Sequence, residues 1–262
     1  MIRFSANLGF LWTDRPLPAA IRAAHAAGFA AVECHWPYDT PVEDIAAALR
    51  NTDLPMIGLN TARGDVDAGD NGLAAIPGRE AESRAAIDQA LDYAAQISAG
   101  SVHVMAGCAE GPRARASFVE NLTYACQHAG AQGRTILIEP LNRFDAPGYF
   151  LNTTAQAADI ISELALPNLR LMFDCYHVGR TEGDVIAHLK ALYPLIGHIQ
   201  VAAVPDRGPP DHGELDYSAV LAEIAAMGWP HPVGAEYKPT GPTDASLTWM
   251  RGRVRPIRTS LS

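Results

Sequence analysis

Short apolar, β-branched runs alternate with longer Ala- and Leu-rich amphipathic stretches from one end of the chain to the other. This alternation constrains the fold more than any other feature. A strand that leads through a helix into another strand is expected to pair in parallel by a right-handed crossover. The first strand is read at residues 2–8 and its helix at 16–27. That helix starts at Pro16 and stops before Gly28, a residue suited to a left-handed C-terminal cap. Strand–helix pairs follow at 31–34 and 42–51, 55–60 and 79–97, 102–105 and 114–132, and 135–139 and 154–165. The last three pairs are 169–174 with 184–193, 196–202 with 217–227, and 233–236 with a weaker helix from 244 to about 254.

Eight units in 262 residues is roughly 33 residues per unit, the arithmetic of a (β/α)8 TIM barrel of the α/β class. A doubly wound open sheet is the rival. Its dinucleotide-binding form needs G-x-G-x-x-G, and no two of the 22 glycines stand two positions apart. A phosphate-binding G-x-x-x-x-G-K is also missing, since the only lysines are Lys190 and Lys238. No shift of composition and no Ser/Gly-rich linker divides the chain. Residues 1–262 are therefore read as a single domain with a short tail at about 251–262. Two strand-to-helix connections are long, 61–78 and 203–216. Both fall on the C-terminal face of the strands, where barrel chemistry resides. The first is expected to form an ordered lid over the mouth.

The last four strands end on oxygen-bearing side chains: TILIE at Glu139, LRLMFD at Asp174, IGHIQ at Gln200 and VGAE at Glu236. These residues stand 35, 26 and 36 positions apart, so all four are expected at one mouth and at similar height. A buried strand-end carboxylate is costly unless paired or metal-bound. Three facing one another demand a cation, a shared proton or both. The four form an all-oxygen candidate shell suited to a hard divalent ion, Mg2+ or Mn2+, whereas zinc normally draws on His or Cys. Pairing with Arg or Lys, or capping of the next helix, would explain one such residue more simply than four at matching depth.

Cations surround that expected shell. His177 follows Asp174 by three residues, Arg207 and His212 lie in the seventh connection, and Lys238 follows Glu236. Arg63 and His103 share the same face. Around an anionic metal site they point to a small anionic substrate, although a salt bridge is the simpler account of any one alone. His25, His128 and His188 read as surface or boundary positions of helices. His198, two residues before Gln200, reads as a hydrogen-bonded histidine of the barrel interior. No serine sits in G-x-S-x-G. Cys108 and Cys175 lie near strand ends and read as packing residues.

Twenty Lys and Arg against 29 Asp and Glu leave a net charge of −9, which disfavours extended contact with nucleic-acid phosphates. No apolar run approaches the ~18 residues of a membrane span, and no secretory signal is read near Met1. The four cysteines form no C-x-x-C, as expected of reduced thiols in a cytoplasmic protein. Arg251, Arg253, Arg255 and Arg258 give a short basic tail, read as a solvated end. A homo-oligomer is compatible with all of this.

At the residues above the chain resembles the hydroxypyruvate isomerase family of the xylose-isomerase-like TIM-barrel superfamily. The stretches that carry the resemblance are GLNTARGD at 58–65, GDNGLAAIPGRE at 69–80, IEPLNR at 138–143 and PGYFLNTTAQA at 147–157. LMFDCYHV at 171–178, HIQVA at 198–202, PDRGPPDHGELDY at 205–217 and EYKP at 236–239 complete the set. The match runs to about Trp249 and leaves the terminal RGRVRPIRTSLS outside it. The resemblance implies a metal site at Glu139, Asp174, Gln200 and Glu236, with Glu139 and Glu236 as the acid/base pair. Related ketose 3-epimerases usually carry His where Gln200 stands, a departure that favours the isomerase branch. A close branch described as 2-oxo-tetronate isomerases shares overlapping motifs.

The implied reaction interconverts hydroxypyruvate and tartronate semialdehyde by metal-assisted proton transfer through an enediolate. Its carboxylate would be anchored by Arg207, Lys238, His177, His212 or Arg63. A 2-oxo-tetronate isomerase and a ketose 3-epimerase are the nearest alternatives. A DNA-repair endonuclease needs several strand-end histidines and a basic face, and a sugar-binding module without catalysis has no use for both glutamates.

Overall fold

The structure, a computed structural model, describes residues 2–250. Eight parallel strands form one sheet: β1 (Phe4–Asn7), β2 (Ala31–Glu33), β3 (Gly58–Asn60), β4 (Ser101–His103), β5 (Thr135–Ile138), β6 (Leu169–Asp174), β7 (Ile196–Val201) and β8 (Val233–Ala235). Their order is β2-β1-β8-β7-β6-β5-β4-β3. The two ends of that series meet where Val32 bonds Pro55 and Ile57 through the backbone and the Cys34 N–H donates to the Gly58 carbonyl. The expected TIM barrel is therefore present as one domain. The basic tail and the end of the weak helix expected from 244 lie outside the described residues.

Helices wrap the outside: α1 (Leu17–Ala26), α2 (Val42–Thr52), α3 (Glu80–Ile97), α4 (Gly111–Ala131), α5 (Thr154–Leu164), α7 (Val185–Leu192) and α8 (Tyr217–Ala226). Each follows its strand as the apolar periodicity predicts. In α3, for example, Ser83, Ile87, Ala90, Leu91, Ala94 and Ile97 recur at helical spacing and are buried against the barrel. Local chemistry fixes the starts of the helices. Thr153, Asp184 and Asp216 accept backbone N–H groups of the first turns of α5, α7 and α8. Gly28, at φ +88°, follows the end of α1 as expected. Two differences from the sequence reading stand out. An extra helix, α6 (Cys175–Thr181), starts directly on the last residue of β6 because Asp174 caps it, accepting from Tyr176 N at 2.8 Å. The stretch after 243 is a 3-10 helix, Thr243–Met250, not an α-helix. No helix among the described residues is long and apolar enough to cross a membrane.

The inside of this barrel is less filled than the usual layers of branched side chains. Ser5, Gly58, Ser101, Gly197 and Gly234 occupy strand positions where larger residues would close it. A cavity of about 330 Å³ results, lined by Asn7, His103, Glu139, Gln200 and Glu236 toward the mouth and by Glu33, Ser101, Thr135 and His231 further down. The small residues thus leave polar side chains room to point inward.

Candidate active site

Strand register sets the acidic ring. Asp174 ends β6 directly opposite Gln200 of β7, which in turn opposes Gly234 of β8. Glu139 and Glu236 are the first residues beyond β5 and β8. All four are buried, between 1% and 5% exposed. Three carry a buried oxygen with no hydrogen-bond partner: Glu139 Oε1, Asp174 Oδ2 and Gln200 Oε1. An unpartnered buried acceptor costs about 1–3 kcal/mol, so three at one mouth mark a place built for something else to occupy. Burial and the charges of Glu236 and Asp174 push the Glu139 carboxyl well above its ordinary value. Burial, then Glu236, lifts Asp174 to about 7.

Glu236 is treated differently. Its Oε1 accepts from Asn7 Nδ2 at 2.8 Å and lies 2.9 Å from His35 Nε2, while Oε2 accepts from Arg207 Nη2 at 2.6 Å. Burial alone would raise this carboxyl, but the Arg207 guanidinium and the His35 bond hold it far below the ordinary range. Arg207 comes from the connection after β7, where its own N–H bonds the Ala203 carbonyl and its φ is +57°. A left-handed non-glycine costs about 1–2 kcal/mol, and here that conformation accompanies a guanidinium aimed into the mouth. The same group stacks over Phe10 and Tyr176, 4.8 and 5.0 Å from the ring centres, and lies 3.7 Å from Asp174 Oδ2. Gly213 closes the connection: a Cβ there, at φ +89°, would overlap the Val204 carbonyl.

His177 Nε2 is 3.7 Å from both Glu139 Oε1 and Asp174 Oδ2. Ligand-capable atoms of these three residues lie within 4.8 Å of one another. The Nδ1 side decides what the ring can offer. Asn142 N donates to it at 2.9 Å, so Nδ1 is the acceptor and the neutral ring carries its proton on Nε2. His177 therefore presents a proton to the mouth, not a lone pair. Burial, with Arg207 nearby, lowers its pKa to about 3 and keeps it neutral; burial lowers His103, 3.6 Å from Glu139 Oε2, to about 4. The unpartnered oxygens of Glu139, Asp174 and Gln200 match a hard divalent cation in donor type. Glu236 could join them only by sharing an oxygen already engaged.

The other expected cations sit further out. Lys238 is exposed, its Nζ 5.6 Å from the Phe10 ring. Arg63 stacks 4.1 Å over Trp36, which neighbours His35. His212, 47% exposed, is held by Asp206 and Asp211 at 2.8 and 2.9 Å within its own connection and does not enter the buried cluster. The 61–78 connection is ordered, but Ala74 and Ala75 bond Met105 and Ala106 beyond β4, making it part of the rim. The sequence reading missed Asn7, His35 and Asn142, polar residues without a distinctive spacing. It also passed over Glu33, whose signal was the same as Glu139's: an acid ending an apolar strand.

Residues 21–253 match the family described as Xylose isomerase-like TIM barrel. A 2-oxo-tetronate isomerase of Cupriavidus necator is 43% identical over 255 residues, 96% of this chain and 98% of that one. The hydroxypyruvate isomerase of Escherichia coli is 36% identical and covers 95% of this chain and 98% of its own. A crystal structure described as an AP endonuclease, family 2, from Brucella melitensis superposes with a TM-score of 0.94. It is 36% identical and covers 97% of this chain and all of that one.

Proposed function

The chain belongs to the xylose isomerase-like TIM barrel family and is an isomerase of that family; on that premise we propose that it interconverts hydroxypyruvate and tartronate semialdehyde. The observation that carries this reading is the meeting of three unpartnered, buried oxygens from Glu139, Asp174 and Gln200 beside a clamped Glu236. A 2-oxo-tetronate, one carbon longer, is the second substrate in line, favoured by the 43% identity to an enzyme of that name. The endonuclease description of the Brucella structure fits less well with a net charge of −9 and a mouth dominated by carboxylates.

Glu139, Asp174, Gln200 and Glu236 are the residues proposed to hold Mg2+ or Mn2+, which would supply Lewis-acid stabilisation of the negative charge on the enediolate oxygens. One of Glu139 and Glu236 takes the proton from the hydroxyl-bearing carbon, and the other returns one to the former carbonyl carbon. The hydroxyl hydrogen passes to the former carbonyl oxygen by way of His177 Nε2, which the Asn142 bond keeps protonated. Arg207 anchors the substrate carboxylate, with Lys238 and Arg63 as outer cations at the rim; His212, engaged by two aspartates, contributes little free charge. Burial of the site residues limits water near the enediolate.

The reading is tested by turnover in deuterated water with hydroxypyruvate and a 2-oxo-tetronate, with and without chelator. Deuterium should enter the substrate carbon, and chelation should stop it. Glu139→Gln and Glu236→Gln should each lower exchange by about 10²–10⁴-fold with the circular dichroism of the fold retained. Full turnover in either variant contradicts the assignment.

A further inference from the structure

One buried carboxylate has no part in that chemistry. Glu33 ends β2, is 4% exposed, and points into the barrel beneath the mouth. Its Oε2 receives His198 Nε2 at 2.7 Å and Gln200 Nε2 at 3.4 Å, and its Oε1 receives Ser5 Oγ at 3.4 Å. The space it occupies is made by Gly234 of β8, on the far side of β1. A Cβ there would overlap Glu33 Oε1 and stand 2.7 Å from Gln200 Cγ and 3.0 Å from His198 Nε2. Histidine, glutamate and glutamine thus meet over a single glycine. A carboxylate offers only acceptors, so the nitrogens of His198 and Gln200 must be the donors.

That requirement settles which way the Gln200 amide faces. With its NH2 committed to Glu33, its oxygen turns to the other side, where Oε1 is buried and without a partner. Turned over, the amide would set two acceptors against each other and present N–H groups, which ligate no cation, to the mouth. We propose that Glu33 is a positioning residue that locks the Gln200 carbonyl oxygen toward the divalent cation, with His198 holding Glu33 in turn. The proposal rests on the reading of Gln200 as an oxygen donor to that ion. It gives the fourth donor of an all-oxygen set a fixed direction, although an amide by itself has none.

Mn2+ binding to the metal-free chain, followed by titration calorimetry and by the electron-spin signal of free Mn2+, separates the two. Glu33→Gln should weaken Mn2+ binding by about 10–100-fold, because a second amide no longer dictates which end of Gln200 faces it. The double variant Glu33→Gln with Gln200→Glu should recover most of that loss. There the residue at 200 is a carboxylate, which presents an oxygen to the cation whichever way it turns. Unchanged affinity in Glu33→Gln overturns the proposal, as does a loss that the double variant fails to repair, which would mark plain damage to the fold. Wild-type chain that takes up no Mn2+ removes the metal site itself and the proposal with it.

Discussion

From β5 onward the barrel wall brings acid to the mouth: Glu139, Asp174 and Glu236, joined by Gln200. The wall from β1 to β4 brings Asn7, His35 and His103, and its one buried strand-end acid, Glu33, points below the mouth. The acidic half leaves three oxygens without partners and His103 leaves both ring nitrogens, whereas Asn7 Nδ2 and His35 Nε2 bond Glu236 of the other half. One half therefore offers the reactive carboxyls, and Asn7 and His35 of the other aim one of them. Such a division follows from cost. A cluster of buried carboxylates repels itself, and a further acid in the first half would deepen that repulsion where a neutral donor relieves it.

Variants on the two sides should differ in size and in kind. Arg207→Ala removes a cation bonded to Glu236 and stacked on Phe10 and Tyr176. Loss of a charged hydrogen bond of about 1.5–3 kcal/mol should raise KM for carboxylated substrates by roughly 10–100-fold. Unchanged KM would remove Arg207 as the anchor. His35→Ala, on the other half, should lower kcat by about tenfold with KM little altered, since the ring touches Glu236 at 2.9 Å and is assigned no contact with substrate. A change in KM alone would undo the division between the halves.

The smallest effect is on stability against pH in metal-free protein. Asp174, raised to about 7, and Glu139, raised well above 4.5, hold protons in the folded chain that the unfolded chain releases. They therefore lose stability as pH rises. His103 and His177, lowered to about 4 and about 3, act in the opposite sense below the unfolded histidine value of 6.5. The two sets offset each other between about 4.5 and 6.5. Above 6.5 the carboxyls act with His198, whose pKa Glu33 raises against the effect of burial. Melting temperature should then fall by a few degrees from pH 6.5 to 8 and be restored by excess Mg2+. A rising or flat profile above 6.5 would count against a proton-holding acidic ring.

The strand-end acids were legible because a βα repeat places one residue per strand at a common height, so spacing alone groups Glu139, Asp174, Gln200 and Glu236. Arg207 could be assigned to the right face but not to its partner. Its direction depends on a left-handed backbone and on Gly213 closing the connection. Asn7 and His35 carried no periodic signal, since a polar residue at or just beyond the end of a short strand is equally at home in a turn. His212 and Lys238 shared the face but not the depth, and depth is set by packing.

Alternation of apolar runs and amphipathic helices, with no glycine signature of an open nucleotide-binding sheet, was enough to determine the barrel and the strands that bear acid. These are local periodicities, and the backbone hydrogen bonds of strand and helix follow them residue by residue. Only the closed cylinder decided which polar atoms find partners, that His177 turns a proton inward, and that Glu33 reaches Gln200 from 167 positions away. Contacts between strands remote in the chain are fixed by register and by the space that small residues such as Gly234 leave, and neither is written in any single stretch of sequence.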